Sequence, residues 1–280
     1  MRTRAIGIVV LLLTLGFSGV CFAERPSVGI IPFYSPEKIW KLYTPLVEYL
    51  RETTGISWEL KLYHNHESII HDICNGNLSI ALFGPIPFVR AYEKCGVKPL
   101  LVALGENGEP YYRSVIVTND PGIRSLKDLK GKKFAFFEGS TAAHLLPRKM
   151  LDDEGVAVDS IQPIFLGSQD RIIDALLKHE VAAAGVKESL YRRFEKSPLK
   201  VLAVSDAVPN FVFCSTPALS SQVEKKFVQA LTALKPLSDP SHKQTVRAWD
   251  DEVQHGFITP PKTYLQDVLE LKDIIRKYRQ

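Results

Sequence analysis

The chain has 280 residues, 45% of them hydrophobic and 24% charged, with a net charge of +4 that falls to +2 without Arg2 and Arg4. So weak a basic balance argues against a nucleic-acid partner. The length is enough for a sizeable core and for two lobes.

Residues 1–23 read as a secretory signal. Arg2 and Arg4 form a basic start, "AIGIVVLLLTLGFSGV" is the apolar stretch, and "CFA" offers a small residue for cleavage after Ala23. A membrane anchor fits less well, because the run is short for a span and polar "ERPS" follows. Cys21 leaves a lipoprotein variant, disfavoured by the bulky Val20 before it. No other stretch is long and apolar enough to span a bilayer, so the mature chain is expected to be exported and periplasmic.

From Ser27 onward, strands and helices alternate, the pattern of an α/β protein with largely parallel sheets. "SVGIIPF" predicts a strand. "SPEKIWKLYTPLVEYLRETTG" predicts a helix, with Pro36 in its first turn, Gly55 as its cap and a break or kink at Pro45. The strand "SWELKLY", a helix around "ESIIHDICNG", the strand "LSIALFG" and the helix "PIPFVRAYEKCG" follow, then the strands "KPLLVALGE" and "YYRSVIVTND". The pattern restarts with the capped turn "SLKDLKG" and the strand "KKFAFFE", and strand–helix units repeat as far as "LKVLAVS". "FVFCST", a helix over "SSQVEKKFVQALTAL" and two more helical segments close the chain.

This order predicts two doubly wound α/β lobes joined by a two-segment hinge. Lobe 1 would comprise 24–115 and 210–280, and lobe 2 residues 116–209, with crossings near 112–118 and 205–213. In such sheets ligands sit at the carboxyl ends of strands, and a cleft between lobes is a common small-molecule site.

One such strand end is "FFEGSTAAHLLPRKML". Gly139 frees the backbone to turn, Ser140 is a favoured N-cap, and Thr141 adds a second hydroxyl. The first N–H groups of a helix lack internal partners and carry partial positive charge. With Ala142 and Ala143 allowing close approach, an oxyanion can be held there without Lys or Arg. A plain N-cap explains the same residues when they are taken alone. Pro147 is expected to remove a hydrogen bond to the Ala143 carbonyl and kink the helix one turn in.

Other polar clusters carry weaker signals. Cys74, Cys95 and Cys214 are an odd number, with Cys74–Cys95 the most plausible pair in an oxidising compartment and a buried thiol the alternative for each. His64, His66, His71 and Cys74 have the donor types of a zinc site, but their spacing matches no standard pattern, so solvated loop histidines are expected instead. Asp250-Asp251-Glu252 reads as a solvated charge cluster. No nucleophile elbow or metalloprotease motif appears, so no enzymatic activity and no cofactor is expected.

Four stretches in order, "NLSIALFGPIPFVRAY", "YYRSVIVTNDPGIRSLKDLKGKKFAF", "GSTAAHLLPRKML" and "LGSQDRIIDALLKHEVAAAGV", resemble the phosphate/phosphite/phosphonate substrate-binding proteins of ABC transporters. The resemblance spans nearly all of the mature chain. It implies a type II periplasmic binding protein fold whose lobes close on a small oxyanion, and a membrane permease as partner. It also implies that Ser140 and Thr141 hold phosphoryl oxygens, with Ala142 where the family often has a third hydroxyl. By the same resemblance His66 stands where a Tyr is common, Phe83 replaces an aromatic hydroxyl, and Asp170 matches an acid that reads the amino group of aminoalkyl phosphonates. Tyr34, in the loop after the first strand, is expected to close over the ligand.

The function expected is therefore transport of phosphate, phosphite or a phosphonate by a monomeric receptor. Alternatives with the same fold are a ligand-binding partner of a membrane sensor, or a receptor for a different small anion.

Overall fold

The computed structural model describes residues 25–278; the expected signal segment 1–23, with Cys21, lies outside the described residues. No helix among the described residues is long and apolar enough to cross a membrane.

The chain builds one sheet, crosses over, builds a second and returns. Strands β1 (Ser27–Ile30), β2 (Glu59–Lys61), β3 (Ile80–Phe83) and β4 (Lys98–Ala103) belong to the first lobe. The chain then passes through β5 (Tyr111–Tyr112) into the second lobe. There it forms β6 (Ser114–Thr118), β7 (Lys133–Phe136), β8 (Gln162–Phe165), β9 (Ala183–Lys187) and β10 (Lys200–Val204). It returns through β11 (Val208–Pro209) to β12 (Val212–Ser215) and β13 (Phe257–Ile258). The sheets run β13-β4-β12-β3-β1-β2 and β10-β6-β9-β7-β8, and β5 pairs with β11 in a separate two-stranded ribbon at the crossing.

The sheets are mixed rather than largely parallel. β1 pairs in parallel with β2 and β3, and β7 with β8 and β9. Most exceptions arise at the crossings: β6, the first strand after entry, runs antiparallel to β9 and β10, and β12, the first after return, runs antiparallel to β3 and β4; the short edge strand β13 is also antiparallel to β4. A strand that enters a sheet from the other lobe has no crossover helix to reverse its direction.

Helix α1 (Pro36–Thr54) runs unbroken through Pro45, against the expected break. Tyr43, Leu46, Val47 and Leu50 are buried on both sides of it. Their packing offsets the ~3 kcal/mol that an interior proline costs, at about 1.5–3 kcal/mol for each large buried side chain. Ser35 caps its start and Gly55 its end. Helices α2 (His66–Cys74) and α3 (Pro85–Cys95) pack together, and a Cys74–Cys95 disulfide joins their last residues with Cα atoms 5.4 Å apart. Cys214 is the buried free thiol.

In the second lobe, α4 (Leu146–Asp153) lies against β9, and α5 (Gln169–Leu177) follows β8. The terminal helix Lys272–Tyr278 bridges the lobes. Lys272 pairs with Glu93 on α3 at 2.9 Å, while the Tyr278 hydroxyl donates to Asp152 on α4 at 2.9 Å.

The contact of α4 with β9 depends on Gly185. A Cβ there would lie 2.0 Å from Cγ and 2.7 Å from Cβ of Pro147. Both the proline ring and the strand are rigid, so the clash has no flexible side chain to absorb it. Gly185→Ala is expected to destabilise the protein by about 1–3 kcal/mol or more, the range for overpacked cores. A urea midpoint equal to that of the unmodified protein would contradict this packing.

Candidate functional site

The site is built around the loop that leaves β7. Gly139 has φ 72°, left-handed backbone that a side chain would strain, and a Cβ there would lie 3.0 Å from Nδ1 of His66. Ser140 then caps a helix, its hydroxyl accepting from the Ala143 N–H at 3.1 Å. The first turn, Thr141–Leu145, is a π turn in which the Leu146 N–H donates to the Thr141 carbonyl. A single π turn inside a helix is rare and concentrates at functional sites.

Pro147 explains the wide turn. Lacking an N–H, it leaves the carbonyls one turn before it without helical donors. The Ser114 hydroxyl donates to the Ala142 carbonyl at 2.6 Å, and the Phe137 N–H to the Ala143 carbonyl at 2.9 Å. The expected kink one turn in is thus replaced by a π turn, after which Pro147 sits in the first turn of α4, where its ring is tolerated.

Three helix starts converge on one small cavity between the lobes: this π turn, Gly84 at the start of α3, and Gln169 in the first turn of α5. About 20 Å³ is open there to the centres of water-sized atoms. That is room for about one or two waters. His66, Ser140, Thr141 and Ala142 line it, together with Tyr112, Gln169, Lys187 and the rings of Phe33, Phe137 and Phe211. Helix starts present partial positive charge, so the cavity favours an anion. No carboxylate is among the residues lining it.

Both lobes meet at this cavity. The Ile86 N–H of α3 donates to the Thr141 hydroxyl at 3.1 Å, and the Gln169 N–H donates to the Phe33 carbonyl at 3.2 Å. Lys187, at the end of β9, is 3% exposed. Its ammonium donates to Asn210 Oδ1 at 2.9 Å and to the Glu252 carboxylate, and lies 4.3 and 4.6 Å from the ring centres of Tyr112 and Phe211.

The acids behind it are not the solvated cluster the sequence suggested. Asp250 and Glu252 are buried. Burial, with Glu252 nearby, pushes the Asp250 carboxyl up to about 6, and the Tyr43 hydroxyl donates to it at 3.2 Å. Tyr43 and Trp249 anchor this segment to the first lobe's core, which draws the acids inward beneath Lys187.

The remaining expected site residues fall elsewhere. Tyr34 is buried at the cleft edge, its hydroxyl accepting from Arg193 of the other lobe at 2.5 Å and its ring packed on Phe33. It ties the lobes together without lining the cavity. Phe83 is fully buried in β3, paired with Val212, among the core residues. The Asp170 carboxylate points to the rim, 2.6 Å from the Lys38 ammonium. Successive helical residues point about 100° apart, so it is Gln169 that lines the cavity.

Of the four possible zinc donors, Cys74 is taken by the disulfide, His66 is buried in the cavity wall, and His64 and His71 are exposed. No group of three or more metal-ligating side chains is assembled among the described residues. Lys187 was not singled out from sequence, although a lysine ending the apolar strand "VAAAGV" was a usable signal. Tyr112 and Gln169 carried none.

Two histidines in this region are held neutral. Burial, with Arg90 nearby, lowers His66 to about 4 against the opposing pull of Glu67 and the Gly139 backbone, and at least one of its ring nitrogens is buried without a hydrogen-bond partner. Burial, with Arg148 nearby, lowers His144 to about 4, and its Nδ1 accepts from the Gly139 N–H at 3.1 Å.

An unfolded chain takes up both protons near the ordinary value of 6.5, and the folded chain does so only near 4. Stability contributed by these residues is therefore full above pH 6.5 and lost as the pH falls towards 4. Asp250, raised to about 6, works in the opposite direction between 6 and 3.8 and offsets part of the loss. Denaturant unfolding at pH 7 and pH 4.5 should show a net decrease, made smaller by His144→Asn, which keeps an acceptor for Gly139. An identical pH slope in that variant would contradict the assignment.

Comparison with known proteins matches this architecture. The profile of the periplasmic substrate-binding protein family of phosphonate ABC transporters covers residues 28–262. A phosphate-import protein PhnD from Mycolicibacterium smegmatis is 27% identical over 225 residues, 73% of this chain and 70% of its own. The binding-protein component of an ABC phosphonate transporter from Pseudomonas aeruginosa superposes with a TM-score of 0.76 at 18% identity, covering 90% of this chain and 86% of that one. PhnD1 from Prochlorococcus marinus, in complex with methylphosphonate, gives 0.76 at 19% identity, covering 90% and 97%. At such identities the solved structures establish the type II periplasmic binding fold. The profile match across both lobes establishes the family: the chain is a member of the periplasmic substrate-binding proteins of phosphonate ABC transporters.

Proposed function

We propose that this receptor captures one compact, amine-free phosphorus oxyanion (phosphate, phosphite or a small phosphonate) in the cavity at Ser140 and Thr141, and presents it to a membrane permease. The carrying observation is a small cavity where the lobes meet, lined by residues of three helix starts and by the hydroxyl-bearing Ser140 and Thr141, with no carboxylate among them. Its neutral donors stabilise an anion without a free cation, because Lys187 is already matched by Glu252.

The phosphate-import relative and the methylphosphonate-bound neighbour support this ligand class. No acid lines the cavity to pair with a ligand ammonium, so aminoalkyl phosphonates are disfavoured.

In this reading Ser140, Thr141, Ala142, His66, Gln169, Tyr112 and Lys187 form the wall, while Tyr34 and the Lys38–Asp170 pair hold the rim closed. Phe83 supports the wall from the core. The lobes divide near 113/114, two residues before the expected 115/116, and near 209/210, and the β5–β11 ribbon is the hinge. The protein acts after cleavage near Ala23, as a monomer, and its weak net charge fits a role without nucleic acid.

Calorimetric titration of the mature protein with phosphate, phosphite, methylphosphonate and 2-aminoethylphosphonate tests this. Saturable heat is expected with at least one of the first three, and far weaker binding of the fourth. No binding of any of them would overturn the proposal.

A further inference from the structure

A cavity meant for a fully ionised oxyanion needs only donors, yet this one also holds acceptors. Gln169 is 5% exposed, and its Oε1 is buried without a partner. The His66 ring has only the Gly139 backbone within hydrogen-bonding reach, so at least one of its buried nitrogens is left unpartnered, and a neutral imidazole always presents one acceptor nitrogen. The two residues come from opposite lobes and line the same space as Ser140 and Thr141. An acceptor lone pair facing an oxyanion oxygen is repulsive, and a buried acceptor left unmatched is costly. A hydrogen carried by the ligand resolves both problems at once.

We infer that this cavity selects tetrahedral oxyanions that keep one hydroxyl proton, and that Gln169 and His66 are the acceptors that read it. The inference rests on the oxyanion reading above. Oxygens without hydrogen meet the Ser140 and Thr141 hydroxyls and the helix-start N–H groups, and the P–O–H group faces Gln169 Oε1 or the acceptor nitrogen of His66. Phosphate and phosphonates retain such a proton near neutral pH. Sulfate and sulfonates, of the same shape, do not. A site built to hydrogen-bond a ligand hydroxyl rejects an analogue lacking it far more strongly than a shape difference alone allows.

Methylphosphonate and methanesulfonate form the deciding pair, being matched in shape and both monoanionic at pH 6.5. Calorimetry on the mature protein is expected to give at least about 100-fold weaker binding of methanesulfonate. That gap should narrow about 10-fold or more in Gln169→Leu or in His66→Phe. Should either variant fail to fold, the unmodified protein still decides, because its affinity for methylphosphonate should fall about 10-fold or more between pH 6 and pH 9 as the ligand proton is lost. Equal binding of the two ligands, a gap unchanged in both variants, or a flat pH response would overturn the inference and leave the oxyanion reading standing. Failure of all phosphorus oxyanions to bind would overturn the oxyanion reading itself, and this inference with it.

Discussion

Replacing Ser140 and Thr141 together by alanine is expected to lower affinity for the phosphorus oxyanion by about 100- to 10,000-fold. Each hydroxyl supplies a hydrogen bond to a charged ligand, worth about 1.5–3 kcal/mol, and 1.4 kcal/mol is tenfold in affinity. The same two hydroxyls also have structural work. Ser140 caps the π turn, and Thr141 accepts from Ile86 across the cleft. Loss of the cap costs about 1 kcal/mol, and leaving the Ile86 N–H unmatched costs about 1–3 kcal/mol. The double variant should therefore also unfold at a lower temperature and close less readily. Thr141→Ser separates the two effects, since it keeps the hydroxyl: near-normal affinity is expected there. Unchanged affinity in the double alanine variant would mean that the anion is held elsewhere.

The largest effect on stability is expected from Lys187→Met. Lys187 and Glu252 are both buried, and the ammonium also serves Asn210 and two aromatic rings. Removing the cation strands a carboxylate close to Asp250, which burial and Glu252 already hold up near 6. Breaking a buried pair from one side costs about 3–5 kcal/mol, whereas replacing both partners by apolar groups is often close to neutral. Urea unfolding should therefore show Lys187→Met strongly destabilised and Lys187→Met/Glu252→Leu substantially recovered. A single variant within about 1 kcal/mol of the unmodified protein would contradict the pairing, because one-sided loss of a buried ion pair has no cheaper outcome.

Local signals carried much of the fold. Pro36 and Gly55 marked the two ends of α1, which the structure keeps. Ser140 after Gly139 marked the capped turn that lines the cavity for the same reason: caps and left-handed turns are decided by a few adjacent residues. What stayed hidden depends on distant residues. Lys187 and Glu252 are 65 positions apart, and nothing in "DDEV" reveals that its acids are drawn inward beneath a lysine. The antiparallel course of β6 and β12 follows from crossing between lobes, which strand periodicity does not encode. Pro45 is absorbed by core packing on both sides, while Pro147 is absorbed by a π turn whose freed carbonyls find Ser114 and Phe137. The choice of Gln169 over Asp170 as the cavity residue turns on a single step of helical phase.

The most direct test of the account is a crystal structure of the mature protein grown with methylphosphonate or phosphate. The account predicts a closed form with the phosphorus centre between the lobes. Its oxygens should lie within hydrogen-bond reach of Ser140 Oγ, Thr141 Oγ1 and the N–H groups of the π turn, with one oxygen facing Gln169 or His66. An anion bound away from Ser140 and Thr141, in a cleft that otherwise closes as described, would contradict it.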